Sequence, residues 1–251
     1  MQVLLLYLDA PLMSFGGTVV DQNGPTEAMP GRSMLTGLIG NALGWQHGDW
    51  QPLQDLQARI RHSVRADRMG EMLTDYQTVD LGQDFLRATG WTTRGKREDR
   101  KGASGTSTHL RYREHWANAV RTVALTLEPA DKAPDLDAIT AALLAPARPL
   151  FLGRKPCLPA HPLLAPVDPQ TGKTPSLVEC TDLRSALINA PWTHPPTDQT
   201  VIAWVPEDAS QPEDHPITVD VCDERDWRNQ LPVGRRSWHK VTLPCPQPEE
   251  V

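Results

Sequence analysis

The chain has 251 residues, a formal net charge of −6 and four widely spaced cysteines. This length accommodates one large domain or two small ones, and the acidic charge argues against a general nucleic-acid coat. Because no C-x-x-C pair is present, we expect free thiols in a reducing cytoplasm, with no metal site and no cofactor.

The first elements in the chain are a strand and two helices. Residues 3–8 form a compact apolar run that predicts a central strand covered on both faces, and Asp9 and Pro11 end it too early for a signal peptide or membrane segment. An amphipathic stripe then predicts a helix that Ser33 caps and Gly44 ends. Pro52 fits the first turn of a second helix.

The start and the bare face of the first helix are candidate contact surfaces. Gly37 and Gly40 lie three residues apart, and each costs about 1 kcal/mol relative to alanine, so we expect another group to approach there closely. A phosphate at the helix start would meet unpaired N–H groups, the Ser33 hydroxyl and the Arg32 guanidinium. The alternative is that Ser33 only caps the helix while Arg32 is solvated, and the residues leave both interpretations open.

The next elements complete most of a β-α-β-β-α pattern. Residues 63–67, 74–79 and 120–127 read as strands, and Asp135 caps a third helix that Pro146 stops. This order predicts the ferredoxin-like plan with one further strand still to come. The inner positions of the third helix are predicted to be Leu136, Ile139, Leu143 and Leu144.

A basic arm at residues 87–116 interrupts this pattern. Eight lysines and arginines face only three acids in it, and its glycines and its Ser/Thr run show no apolar period. We therefore expect a mobile tip, with Trp91, Tyr112 and Trp116 beside the cations. Cations next to aromatic rings are typical of single-stranded nucleic-acid contacts. The alternative is a solvated loop, although structureless loops longer than about 15 residues are usually functional or disordered.

A short apolar run after the third helix leads into Gly153, Arg154 and Lys155. It predicts a strand followed by a rigidly held basic turn. Taken alone, such a turn is ordinarily a solvated bend.

Several sequence segments, in consistent order over residues 1–165, resemble the CasD subunits of type I-E CRISPR Cascade, the Cas-five family of the RAMP superfamily. They are Ala10-Pro-Leu-Met-Ser-Phe-Gly16, the helix start from Pro30, Arg113-Glu114 before the strand at Val120, Phe151-Leu-Gly-Arg-Lys-Pro-Cys157 and His161-Pro162. The resemblance implies an α+β, ferredoxin-like, RRM-related RAMP domain at residues 1–160 with a protruding thumb at about 87–116. A smaller, irregular β-containing region with a disordered tail is expected at 161–251.

The resemblance also implies function and partners. Such subunits bind the 5′ handle of the CRISPR RNA, cap the complex and contact the adjacent backbone subunit and the large subunit in antiviral defence. We therefore expect a cytoplasmic, non-catalytic subunit that meets target DNA only indirectly and no membrane. The predicted RNA-binding residues form three clusters along one track: Arg32 and Ser33; Arg154 and Lys155; and, in the arm, Trp91, Lys96, Arg97, Arg100, Lys101, Arg111, Tyr112 and Arg113.

Two alternatives remain open. Related RAMP subunits cut precursor RNA without metal, and here His109 and Tyr112 lie near Lys101 and Arg111, which would supply a base and a charge stabiliser. A mobile arm is a poor scaffold for such precision. The second alternative is a protein–protein scaffold in which the arm inserts into a neighbouring subunit.

Overall fold

The structure, a computed structural model, describes residues 1–80, 108–166, 168, 170–172, 174–192, 199–211 and 216–245, and the backbone of 90–91 and 97–98. Its helices are α1 (Arg32–Ala42), α2 (Trp50–Arg59), α3 (Leu136–Leu144) and α4 (Leu183–Asn189). Its strands are β1 (Gln2–Asp9), β2 (Leu12–Met13), β3 (Asn23–Gly24), β4 (Ile60–Arg68), β5 (Glu71–Asp80), β6 (Gly90–Trp91), β7 (Arg97–Glu98), β8 (Thr108–Ala117), β9 (Val120–Leu127), β10 (Leu177–Glu179), β11 (Thr200–Pro206), β12 (Ile217–Val221), β13 (Glu224–Asp226), β14 (Leu231–Val233) and β15 (Arg236–Pro244).

The main sheet has seven antiparallel strands in the order β10-β1-β9-β4-β11-β15-β12. Its first four strands, with α1 and α2 before β4 and α3 before β10, follow the β-α-β-β-α-β element order. The further strand that the ferredoxin-like plan requires is β10, in which Val178 lies opposite Val3. The predicted α+β class is confirmed.

Three C-terminal strands, β11, β15 and β12, continue this sheet, whereas β13 and β14 pair with each other in a separate two-stranded sheet. β11 pairs with β4 through Ala203↔Arg65 and Trp204↔Val64, and β15 and β12 follow on its other side. The predicted boundary near residue 160 therefore does not separate two sheets. No helix in the described ranges is long and apolar enough to cross a bilayer.

The central strand β1 is covered on both faces, as its continuous apolar run predicted. Leu4, Leu6 and Leu8 belong to the core cluster that contains the inner residues of α1 and α3. Val3 and Leu5 belong to a second cluster with α4. Each buried leucine contributes about 1.5–3 kcal/mol by leaving water, so this strand anchors both layers.

Helix α1 begins two residues earlier than predicted, because Gly31 and not Ser33 is its N-cap. Gly44, with φ +85°, lies just past its end, where a left-handed residue commonly stops a helix. The close approach expected at the bare face is confirmed, since an ideal Cβ on Gly40 would lie 2.7 Å from Leu53 of α2 and one on Gly37 would lie 3.5 Å from Trp227.

Three further predictions about the elements need correction. The run before Gly153 is not a strand, because Leu152 exchanges backbone hydrogen bonds with Ser14 and Cys157 in a loop. Leu144 is exposed and not an inner residue of α3. The tail is ordered through Cys245, since Leu243 and Cys245 are buried at the end of β15, while residues 246–251 lie outside the described range.

The arm is built on a two-stranded ribbon, defined here as β5 and β8. The strands pair without interruption from Glu71↔Ala117 to Asp80↔Thr108. Residues 108–116, predicted as part of a strandless arm, therefore belong to a regular strand. β8 shows no apolar period because polar and charged residues alternate along it and most of them are only partly buried.

Candidate nucleic-acid interface

A surface cavity of about 580 Å³ lies where α1, the turn after Gly153 and the base of the ribbon meet. We call it the root pocket. The residues of interest that line it are Ser14, Ser33, Gly37, Arg113, Arg154, Lys155 and Trp227. Side chains from the three predicted clusters therefore meet at one cavity, although each cluster lies at least about forty residues from the next along the chain.

Arg113 projects from β8 over the bare backbone of β3. The strand pair places Gly24 beside Arg113, and an ideal Cβ on Gly24 would lie 2.5 Å from Arg113 Nη1 and 3.0 Å from Arg154 Nη2. Only glycine leaves this space for two guanidinium groups. Arg113 makes no side-chain hydrogen bond or ion pair within the described residues, so its donors are available to a ligand.

Arg154 fastens the base of the ribbon to the loop before α1. Its Nη1 donates to the Glu114 carbonyl at 2.6 Å, and its Nη2 donates to the carbonyls of Gly24 at 2.7 Å and Pro25 at 3.2 Å. Burial and the nearby charge of Arg113 lower the pKa of Arg154. Much of its donor capacity is thus used internally, while its positive charge still faces the pocket.

Lys155 is exposed at the rim of the root pocket and makes no hydrogen bond or ion pair in the part of the chain that the structure describes. The turn that carries it is held tightly. Gly153 has φ +100°, and an ideal Cβ there would lie 1.6 Å from the Ser14 carbonyl oxygen, so only glycine permits this approach. Lys155 is therefore a free cation on a fixed backbone.

The predicted phosphate-binding site at the start of α1 is already filled by the chain's own acids, which corrects that prediction. Asp223 Oδ2 accepts from the Arg32 amide at 3.1 Å, and its carbonyl accepts from the Ser33 amide at 2.8 Å. The Arg32 side chain is buried and forms an ion pair with Glu224. A phosphate there would meet two carboxylates, although the Ser33 residue still lines the root pocket.

Alternation along β8 sorts the arm residues onto two faces of the ribbon. Arg111 and Arg113 share one face, together with His109 and His115. Tyr112 lies on the other face, where its ring centroid is 5.3 Å from that of the cross-strand residue Tyr76. The predicted cations at the base of the arm are therefore brought together, and the predicted stacking ring is part of an aromatic pair.

The remaining predicted residues of the arm have no described side chains. Trp91 in β6 lies opposite Arg97 in β7 on the backbone of a two-stranded sheet. Lys96, Arg100 and Lys101 lie outside the described residues, as does the part of the arm predicted to be mobile.

Sequence reasoning missed His115 and Tyr76. His115 is buried, with Nδ1 3.1 Å from the Arg113 carbonyl, and burial together with Arg154 keeps its pKa below the ordinary value. The alternation His-x-Arg-x-Arg-x-His at 109–115 was the available signal for a basic strand face. Among the described residues, no group of three or more potential ligands could hold a metal ion.

The fold and the cavity define an α+β protein with a basic pocket at the root of a projecting ribbon. The family model described as CRISPR-associated protein (Cas_Cas5) matches residues 3–239, and the chain belongs to this family. It is 33% identical over 162 residues to the CRISPR system Cascade subunit CasD of Escherichia coli (strain K12), covering 64% of this chain and 68% of that protein.

Solved structures agree with this assignment. A chain of a CRISPR RNA-guided surveillance complex matches with a TM-score of 0.63 and 27% identity, covering 97% of this chain and 90% of that one. A crystal structure of a Cas protein matches with a TM-score of 0.61 at 22% identity, covering 96% and 95%, and shows the fold alone.

Proposed function

We propose that the chain is a subunit of a Cascade-type CRISPR RNA-guided surveillance complex, in which it binds the 5′ handle of the CRISPR RNA. Family membership, the relative named as a Cascade subunit and the structural match to a surveillance complex support the membership. The root pocket supports the RNA contact. In this proposal the subunit caps the complex, contacts the adjacent backbone subunit and the large subunit, and meets target DNA only indirectly.

The observation that carries the RNA contact is the state of the three cations at the root pocket. Arg154 is fixed by carbonyl oxygens, whereas Arg113 and Lys155 have no acid within hydrogen-bonding distance among the described residues. Burial and Arg113 both lower the pKa of Arg154, and Glu114 and Asp75 oppose this shift only in part, so holding the charge here has a net cost. A phosphate between the three side chains would relieve that cost.

The path of the RNA would continue from the root pocket along one face of β8. Arg111 lies two residues beyond Arg113 on that face, and Trp91, Lys96, Arg97, Arg100 and Lys101 would extend the contact along the arm. Tyr112 and Tyr76 offer a stacking platform on the opposite face. Arg32 is left out of this path because Glu224 already neutralises it.

The salt dependence of RNA binding tests the proposed pocket. Replacing Arg113→Gln and Lys155→Gln together should reduce the slope of log affinity against log salt by about 1.4 units, at about 0.7 per single-strand phosphate contact. The measurement is fluorescence anisotropy with a labelled handle RNA between about 50 and 200 mM salt. Lys132→Gln with Arg235→Gln, two exposed cations elsewhere, should leave the slope unchanged. An unaltered slope in the pocket variant would remove this contact.

The geometry does not favour cleavage by the base of the arm. His109 and Tyr112 differ by three positions in β8, so their side chains lie on opposite faces of the ribbon and do not converge on one phosphate. His115 lies next to two arginines, but its Nε2 is buried. Incubation of the purified chain with a repeat RNA in EDTA should yield no discrete product, and a His109-dependent product would restore the endoribonuclease alternative.

A further inference from the structure

The outer edge of the ribbon is an uncovered strand of unusual length. Among the described residues, β5 pairs with β8 alone, and nine of its ten residues are exposed. The strands at the two edges of the main sheet, β10 and β12, have only three and five residues. At about 3.3 Å per residue, β5 presents roughly 33 Å of backbone edge with which no other described strand pairs.

Apart from its acids, this edge lacks the features by which proteins usually prevent strand addition. β5 contains no lysine and no proline, and its register with β8 runs without a bulge. It also carries four exposed apolar side chains, Met72 at 47%, Leu73 at 43%, Tyr76 at 55% and Val79 at 44%. A regular, long and partly apolar edge is an aggregation hazard unless a partner covers it.

The charge of the strand indicates what kind of partner fits. β5 carries Glu71, Asp75 and Asp80 and no lysine or arginine, whereas β8 carries two arginines, at 111 and 113, and a single acid at 114. A polynucleotide would be attracted to β8 and repelled from β5. The residues that approach β5 from the outside should therefore belong to a protein and be basic.

We propose that β5 is the docking edge for an extended strand of a neighbouring protein subunit that carries lysine or arginine at alternate positions. Main-chain hydrogen bonds would supply the affinity, as in other cases of strand addition, and the acids of β5 would select the basic strand. The ribbon then serves two partners, with RNA on the face of β8 and protein on the edge of β5. The inference rests on the proposed membership in a multisubunit complex.

Hydrogen–deuterium exchange tests the backbone contact directly, using the full chain alone, with CRISPR RNA, and within the purified assembled complex. The β5 amides that point away from β8 should exchange at least about ten-fold more slowly in the complex than in the free chain, because they become hydrogen-bonded. Adding RNA alone should leave them unchanged. Equal protection by RNA alone would overturn the proposal, and so would fast exchange of these amides in the complex.

A pair of variants tests the charge selection. Thr74→Lys with Thr78→Lys places two cations on β5 and should weaken incorporation of the chain into the complex at least about ten-fold. Thr218→Lys with Thr242→Lys, exposed threonines in β12 and β15, should change it less than about two-fold. Equal incorporation of the two variants would contradict the proposal. If the unaltered chain joins no such complex, the proposed function itself fails along with the inference, whereas a chain that joins with an unprotected β5 refutes the inference alone.

Discussion

Two clusters of cations in this molecule differ in the groups that face them. At the start of α1, Arg32 and Arg236 face Asp223 and Glu224, and the charges cancel within the protein. At the root pocket, Arg113 and Lys155 have no such partner among the described residues, and Arg154 is held by carbonyl oxygens alone. The difference lies in the acids that fold against the cations, not in the cations themselves.

The acids at the helix start come from far along the chain. Asp223 is 191 residues from the Arg32 amide to which it bonds, and its backbone approaches Gly31 so closely that a Cβ there would lie 2.5 Å from the Asp223 Cβ. The C-terminal segment therefore occupies the site at the start of α1 where the sequence predicted a bound phosphate. A basic helix start indicates an anion-binding site only when no carboxylate of the same chain can reach it.

The largest expected effect comes from removing the acid that fills the helix start. Asp223→Ala would remove the two hydrogen bonds that the half-buried Arg236 makes to this carboxylate, leaving it only Glu224, and would leave the Arg32 amide without its acceptor, so unfolding should become about 3 kcal/mol easier. Urea denaturation followed by circular dichroism measures this. Asp131→Ala, at an exposed acid, should cost less than about 0.5 kcal/mol. A small effect of the Asp223 change would mean that the two clusters do not differ as described.

The next prediction distinguishes two roles of Arg154 at the root pocket, its hydrogen bonds to backbone carbonyls and its positive charge. Arg154→Lys keeps the positive charge but loses the fork that reaches Glu114, Gly24 and Pro25, so we expect a loss of about 2 kcal/mol in the free energy of unfolding. Lys155→Arg, the reverse exchange at the adjacent free cation, should change stability by less than about 0.5 kcal/mol. Both are measured by chemical denaturation.

Equal stability of these two variants would show that Arg154 acts only as a charge. In that case Arg154→Lys would also retain RNA affinity. If the hydrogen bonds of Arg154 hold the base of the ribbon in place, the RNA affinity of Arg154→Lys should fall even though its net charge is unchanged. The base of the ribbon and Arg113 would then be displaced.

Much of the fold could be predicted from local patterns. The continuous apolar run of β1, the strand at 120–127 and the Asp135 cap all depend on neighbours within a few residues, and each is found in the structure. Strand β8 was harder to predict because its residues are mostly polar, only partly buried and without an apolar period. A strand whose alternation is cationic, as in His109 to His115, is not detected by a search for hydrophobic periodicity.

The candidate site was only partly predictable, because the role of an arginine depends on distant backbone. Arg65 donates to the carbonyls of Leu187 and Ala190, Arg121 donates to that of Met69, and Arg154 binds three carbonyls. These arginines hold segments together, and the residues next to each of them in the sequence do not show which distant carbonyls it reaches. The sequence allowed the hypothesis that the three cationic clusters converge. It did not show which of their cations would lack an internal hydrogen-bond or ion-pair partner among the described residues.

The smallest of the three effects concerns His62, which lies beneath the helix start. It is buried with its Nε2 3.1 Å from the Pro30 carbonyl, and its ring packs against Trp238. Burial lowers the pKa of His62 to about 3; Asp223 and the Pro30 bond oppose this shift, whereas Arg236 and Arg32 favour it. The folded state therefore keeps this ring neutral where the unfolded chain would protonate it.

The sign of the pH dependence follows from that difference. Because the folded pKa is lowered, the contribution is fully present above about 6.5 and is lost as pH falls from there towards 3. Between pH 7.5 and pH 5.5 the loss should be about 1.4 kcal/mol, measured by urea denaturation at both values. His62→Phe removes this titration while His115 and the other histidines remain, so the stability gap between the two proteins should shift by that amount. An equal stability gap at both pH values would show that the filled helix start does not exclude a proton from His62. It would also contradict the conclusion that this cluster is closed to ligands.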